Sequence, residues 1–377
     1  MSGSGASTER VRRVVGCMTG TSIDGLDLAL VEIRGTGLEM RCRVLRLGTR
    51  ELGALQRPLR AFADGAAMTA GAIATMAHDF GALHAEAIAE LLAGERADLV
   101  CVHGQTVFHK PPVSWQLLNP WPIVQRVSTR VVYDLRGADL AAGGQGAPIT
   151  PLADAVLLGS RPEFVRGLVK GFAVVNLGGF ANYTAVLAAG GKALAERLGT
   201  IRGGDVCVCN QLLDRIARER LGVAFDADGE RASAGRVDAA ACERLVAMIR
   251  PRHAGRSLGT GDESFAWVDE TRASLGGDDA AATACDAIGR VIAESLRGVE
   301  TVLLAGGGAR NRTLAAAIAR HSQGGRVGMI DDFGIAATHR EAIEFAVLGA
   351  LCEDRVAITL PSVTGVGVAP ISGAWAG

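Results

Sequence analysis

The chain has 377 residues, with 39 basic and 40 acidic side chains for a net charge of -1, and it is 49% hydrophobic and 21% charged. That length gives about two domains with a sizeable core, and the apolar content excludes a disordered chain. The balanced charge gives no motive for binding nucleic acid or a membrane surface, and no apolar run reaches the ~18 residues of a membrane span.

Residues 11–33 read as two β-rich runs around a turn of Gly, Thr, Ser and Asp, which is a hairpin signal. A third strand is expected over 40–48 and an Ala-rich helix over 67–94, where apolar residues recur at helical spacing. A short buried strand at 97–102 leads into His103-Gly104-Gln105-Thr106, and a strand at 130–135 precedes a Gly-rich loop over 142–148. The pattern then restarts: residues 172–187 read strand, Gly-Gly turn, strand. Helices are expected at about 210–220, 238–250 and 279–297. Residues 301–320 read strand, Gly-rich turn, helix, then come a strand at 326–331 and a helix starting near His339.

Two hairpins with Gly-rich turns, each opening a half with strands first and helices after, predict a duplicated α/β architecture with a cleft between the halves. A single doubly wound domain is the alternative. The expected domains are 1–135 together with 361–377, and 136–360. The polar start of the chain does not read as a secretory signal, and eight cysteines in this length make no disulfide scaffold. A reducing cytoplasm is the expected location.

In the first turn, small residues and hydroxyls at Gly20, Thr21, Ser22 and Gly25 can bring donors to an anion. Asp24 and Asp27 beside a phosphate call for Mg²⁺ between them. A plain hairpin turn fits the same residues. The second turn, with Gly178 and Gly179, can cradle phosphate similarly, and Gly307, Gly308 and Asn311 follow a strand where a ring or a phosphate can come close. Asp205 has the chemistry of a general base or of a helix N-cap, and Glu341 starts a helix whose dipole an acid suits. His103 with His109, and Cys207 with Cys209, lack zinc spacing and further ligands, so no metal ion held by either pair is expected.

Taken together, Gly16-Cys17-Met18-Thr19-Gly20-Thr21-Ser22-Ile23-Asp24-Gly25-Leu26-Asp27, His103-Gly104-Gln105-Thr106-Val107-Phe108-His109, Gly143-Gly144-Gln145-Gly146-Ala147-Pro148 and Asn176-Leu177-Gly178-Gly179-Phe180-Ala181-Asn182 resemble the anhydro-N-acetylmuramic acid kinases. Phe225-Asp226-Ala227-Asp228-Gly229, Gly306-Gly307-Gly308-Ala309-Arg310-Asn311 and Leu360-Pro361-Ser362-Val363-Thr364-Gly365 continue that resemblance in the family's order. It implies the actin-like, hexokinase-like two-domain fold (the sugar kinase/Hsp70/actin superfamily), with ATP and Mg²⁺ in the cleft and a homodimer. It also implies a reaction in which water opens the 1,6-anhydro bond of the sugar and O6 takes the γ-phosphoryl group, within cell-wall sugar recycling. By the same resemblance Asp205 is the base and Glu341 a second active-site carboxylate. Thr106, Arg136 and Asp139 fall on sugar-site positions, and residues 20–27 on the first phosphate loop.

Three segments depart from the family pattern. Residues 206–209, Val-Cys-Val-Cys, stand where the family has Thr-Gly-Pro-Gly. Residues 118–119, Leu-Asn, stand for Gly-Asp, and Asp262 stands for Arg. These departures leave open a different anhydrosugar, such as levoglucosan, or a non-catalytic nucleotide-binding relative.

Overall fold

The computed structural model describes residues 9–20, 22–159, 161, 171–187, 193–250 and 264–377. The chain divides into two compact units: residues 1–161, 193–198 and 341–377, and residues 162–192 and 199–340. These boundaries differ from those expected. Arg136, Asp139 and Glu341 fall in the first unit, Glu341 opening the helix Arg340–Glu353 whose backbone lies against Gly16 of its sheet.

In the first unit, β1 (Val11–Met18), β2 (Leu26–Arg34) and β3 (Arg41–Arg50) form an antiparallel meander. β4 (Leu99–Val102) runs parallel to β1, and β7 (Val131–Tyr133) runs parallel to β4. β5 (Gln105–Lys110) and β6 (Val113–Leu117) make a separate hairpin between them. The last strand, β13 (Ala374–Ala376), closes the sheet antiparallel to β7.

The apolar run of β1 reflects its central place, where neighbouring strands and both faces exclude water. Gly16 sits within it because a Cβ there would lie 2.0 Å from the Ala342 carbonyl oxygen of the helix Arg340–Glu353. On the other side, the helix Ala70–Leu92 is capped by Thr69 and buries Met76, Phe80, His84 and Ile88 along one stripe. That i, i+4 spacing is what its sequence period dictates.

The second unit repeats the plan. β8 (Phe172–Leu177), β9 (Phe180–Val186) and β10 (Ile201–Val208) are an antiparallel meander. β11 (Thr301–Ala305) runs parallel to β8, and β12 (Arg326–Met329) parallel to β11. The sheet orders β3-β2-β1-β4-β7 and β10-β9-β8-β11-β12 therefore match strand for strand. This is the duplicated actin-like fold that the sequence predicts. The core of this unit gathers around the small-residue helix Gly277–Ser295, with Trp267 buried and its indole N–H donating to the Ala241 carbonyl at 3.0 Å. No helix among the described residues is long and apolar enough to cross a membrane.

Candidate active site

Matching topology gives both units the same working edge. In open α/β sheets ligands bind beyond the carboxyl ends of the strands. In the first unit β1, β4 and β7 end there and lead into residues 19–25, His103-Gly104 and residues 134–137. In the second, β8, β10 and β11 end there and lead into Gly178-Gly179, Cys209-Asn210 and Gly306-Gly307-Gly308.

The turn after β1 presents exposed Ser22 and Asp24, and the Ser22 hydroxyl donates to Asp24 Oδ1 at 2.7 Å. Buried Ile23 takes φ 49° and anchors the turn, its amide donating to the Gly20 carbonyl at 3.1 Å and its carbonyl accepting from Gln56. Asp27 Oδ1 accepts from the Thr49 hydroxyl at 2.9 Å. Gly20 and Gly25 are part-exposed beside these groups, and Thr21 lies outside the described residues. Carboxylate and hydroxyl oxygens are the hard donors that Mg²⁺ takes, so the residues present fit that ion.

Arg136 brings a cation to this edge with three of its donors bonded. Its Nε and Nη2 donate to His103 Nε2 at 3.1 and 2.9 Å, and its Nη1 donates to the Gly146 carbonyl at 2.8 Å. Burial pushes its guanidinium down to about 10, against the pull of Glu341, so it stays charged at neutral pH. Glu341 is partly exposed in the first turn of the helix Arg340–Glu353. Burial, and then the charge of Arg136, hold the His103 imidazole well below its usual range. Thr106 is part-exposed on β5, and its hydroxyl accepts from Gln116 Nε2 at 3.3 Å.

Asp139 is fully buried. Its Oδ2 accepts from the Gly146 amide and its Oδ1 from the Thr364 hydroxyl, both at 2.8 Å. Both oxygens thus tie the Gly-rich loop to the C-terminal segment, and the carboxylate is closed off from solvent.

In the second unit the two-glycine turn is pinned by a helix. The amides of Cys209, Asn210 and Gln211 donate to the carbonyls of Gly179, Gly178 and Gly179, and Asn210 Nδ2 donates to the Leu177 carbonyl at 3.0 Å. Gly306, at φ +78°, approaches the same turn so closely that a Cβ would lie 2.4 Å from Asn176 Oδ1. Residues 176–179, 209–210 and 306–308 therefore form one cluster. Gly307 is exposed with open space beside it, and Gly308 is buried. Asn311 spends its side chain on structure, Oδ1 accepting from the Leu314 amide at 2.9 Å as the N-cap of Arg312–His321.

Asp205 is not a helix N-cap, a place that Cys209 takes for Asn210–Ile216. It lies within β10, opposite Asn182, beside a bulge that leaves Val206 without a partner on β9. Bulges re-aim side chains next to active sites, and Asp205 keeps a part-exposed side chain. The four residues that replace the family's Thr-Gly-Pro-Gly are all buried in the core of this unit. Burial drives the Cys207 thiol up to about 12 and that of Cys209 up as well, so both act as inert core residues.

The other departures are similarly absorbed. Leu118 packs on the core of the first unit, and Asn119 keeps an acceptor where the family has Asp, its Oδ1 accepting from the Trp121 amide at 3.1 Å. The segment 258–263 with Asp262 lies outside the described residues. Sequence reading missed the β5–β6 hairpin and with it Gln116, which shares a polar face with Thr106, Ser114 and His109. The alternation of residues 113–117 was the available signal.

Two α/β units of one topology, with acidic and glycine-rich loops at corresponding strand ends, define a protein of the duplicated actin-like fold. The sequence matches the family profile of anhydro-N-acetylmuramic acid kinase over residues 12–376, and the chain belongs to that family. It is 33% identical to the anhydro-N-acetylmuramic acid kinase of Synechococcus sp. (strain CC9311), over 89% of this chain and 92% of that one. With the Streptomyces coelicolor enzyme of the same name the identity is 34%, over 96% and 93%. Solved structures that align with it include the activator of 2-hydroxyisocaproyl-CoA dehydratase from Clostridium difficile, with bound ADPNP, at TM-score 0.44, 12% identity and coverage of 90% and 94%. The ROK hexokinase from Thermus thermophilus aligns at TM-score 0.39, 14% identity and coverage of 90% and 98%.

Proposed function

We propose that the protein is an ATP-dependent kinase that opens the 1,6-anhydro bond of 1,6-anhydro-N-acetylmuramic acid and phosphorylates O6, giving N-acetylmuramic acid 6-phosphate and ADP. The observation that carries this reading is family membership along nearly the whole chain, to which the sequence resemblance adds Asp205 and Glu341 as the two carboxylates. Asp205 takes a proton from water as the water oxygen bonds to C1. The C1–O6 bond breaks with its electrons to O6, and O6 bonds to the γ-phosphorus as ADP leaves. One water is consumed and one proton released, and an anomeric centre attacked by water needs such a base on the face away from the leaving oxygen.

Arg136 binds the lactyl carboxylate through its planar fork, Thr106 binds the sugar, and Glu341 is the second carboxylate of the site. Asp139 supports the sugar site through the loop it holds. Residues 20–22 and 25 with Gly178 and Gly179 receive the phosphates, Gly307 and Gly308 let the nucleotide come close, and Asn311 fixes the helix that follows. Asp24 and Asp27 would hold Mg²⁺, which neutralises charge on the phosphoryl group. Under this reading the enzyme works in the cytoplasm as a homodimer, in cell-wall sugar recycling.

Turnover in H₂¹⁸O with product analysis tests the chemistry. The proposal expects the label at C1 of the phosphorylated sugar, and a label in phosphate would contradict it. With residues 206–209 buried in the core, a second reading, a kinase of a neutral anhydrosugar such as levoglucosan, rests on the departure at 118–119 alone. That reading expects turnover insensitive to Arg136→Ala.

A further inference from the structure

We infer that His103 is a positioning residue for the sugar site, whose neutral imidazole holds Arg136 ready to bind the carboxylate of an acidic sugar. The inference rests on the reading of Arg136 given above and adds the residue that makes it work. A lone pair on His103 Nε2 must be free to accept from both Arg136 Nε and Nη2, so the ring carries its proton on Nδ1. The ring itself cannot move freely. It is 5% exposed, it packs on the Phe345 ring at 5.0 Å, and the His103 amide donates to the Cys17 carbonyl at 3.1 Å on the central strand.

The choice of partner matters chemically. A carboxylate at this position would also orient the guanidinium, but it would neutralise the charge that the substrate needs. A neutral acceptor fixes the orientation and leaves the charge in place, with Glu341 as the acidic group that acts on Arg136. Of the five guanidinium N–H groups, His103 takes one from Nε and one from Nη2, and Gly146 takes one from Nη1. One donor on each terminal nitrogen remains, which is the set a carboxylate accepts in a fork.

The test is calorimetric binding of 1,6-anhydro-N-acetylmuramic acid and its methyl ester to wild type, His103→Leu and His103→Gln, with ATP affinity measured alongside. Wild type is expected to prefer the acid by about tenfold to hundredfold, the range of a hydrogen bond to a charged group. His103→Leu should lose that preference with ATP affinity within twofold, and His103→Gln, whose amide oxygen can accept, should recover part of it. A His103→Leu protein that keeps the preference, or a folded His103→Gln no better than Leu, overturns the inference. If wild type itself shows no preference, the carboxylate role of Arg136 fails and takes this inference with it. Imidazole ¹⁵N spectra separate the two failures: His103 should show a bare Nε2 that changes in Arg136→Ala, and a protonated Nε2 in wild type contradicts the contact itself.

Discussion

The two units reach the same sheet edge with different chemistry. The first turns from β1 to β2 through residues 19–25, with exposed Ser22 and Asp24 on a buried Ile23 anchor. The second turns from β8 to β9 through Gly178 and Gly179 alone, whose carbonyls are consumed by the amides that open the Asn210–Ile216 helix. One topology thus supports a loop of carboxylates and hydroxyls in one unit and a loop of bare backbone in the other. The difference teaches that duplication conserves where a loop emerges, while side chains and nearby helix ends decide what it offers.

The contrast extends to how each unit is held together, and that can be broken by substitution. The first unit has a buried ionic clamp. Arg12, 2% exposed, bonds Glu353 Oε2 and both oxygens of Asp354, all at 2.8 Å. Arg12→Met removes the buried cation while Arg10 still pairs with Glu353 and Asp354 and Arg130 with Glu353, and urea unfolding should show a loss of about 1–3 kcal/mol. The Arg250–Glu294 pair of the second unit is more exposed, and Arg250→Met should cost under about 1 kcal/mol.

Gly16→Ala drives a Cβ into the backbone of the helix Arg340–Glu353 and should cost about 3 kcal/mol in the same assay. Gly307→Ala, in open space in the second unit, should stay within about 0.5 kcal/mol.

Acid sharpens the comparison further. His84, fully buried with its Nδ1 donating to the Phe80 carbonyl at 2.8 Å, is pushed down to about 4 by burial, and His103 is also held low. Both lie in the first unit. Their neutral forms favour the fold fully above the unfolded value near 6.5, and that stability is lost as pH falls through the folded values. Between pH 6.5 and 4 the His84 share amounts to about 3 kcal/mol, and His84→Gln should flatten the pH dependence of the urea midpoint in that window. In the second unit Asn311→Ala removes a helix cap and should cost about 1 kcal/mol by thermal unfolding.

Much of this was legible in the sequence. The hairpins β1–β2 and β8–β9, the strand and helix around Gly306–Gly308, and the duplication itself follow from alternation, periodicity and glycine turns. β10 was not, because Gly203 and Gly204 interrupt its β-rich run. The strand forms through its ladder with β9, where Gly203 faces Thr184 and Gly204 faces Tyr183. Gln105 to Lys110 was likewise hidden, since a polar run after a buried strand reads as a loop until β6 pairs with it. Asp139 and Asn311 were singled out from their motifs, but their partners could not be read. The bond from Thr364 to Asp139 spans most of the chain, and the Asn311 cap depends on where a helix starts.

The most direct measurement of the central claim is ADP release with Mg-ATP and 1,6-anhydro-N-acetylmuramic acid by wild type and Asp205→Asn side by side. Sugar-stimulated release by wild type, falling about 10²- to 10⁴-fold in the variant with ATP binding intact, is the predicted result. Equal turnover by both proteins would remove Asp205 as the base. Folded wild type that binds ATP but releases no ADP with this sugar would contradict the proposed reaction.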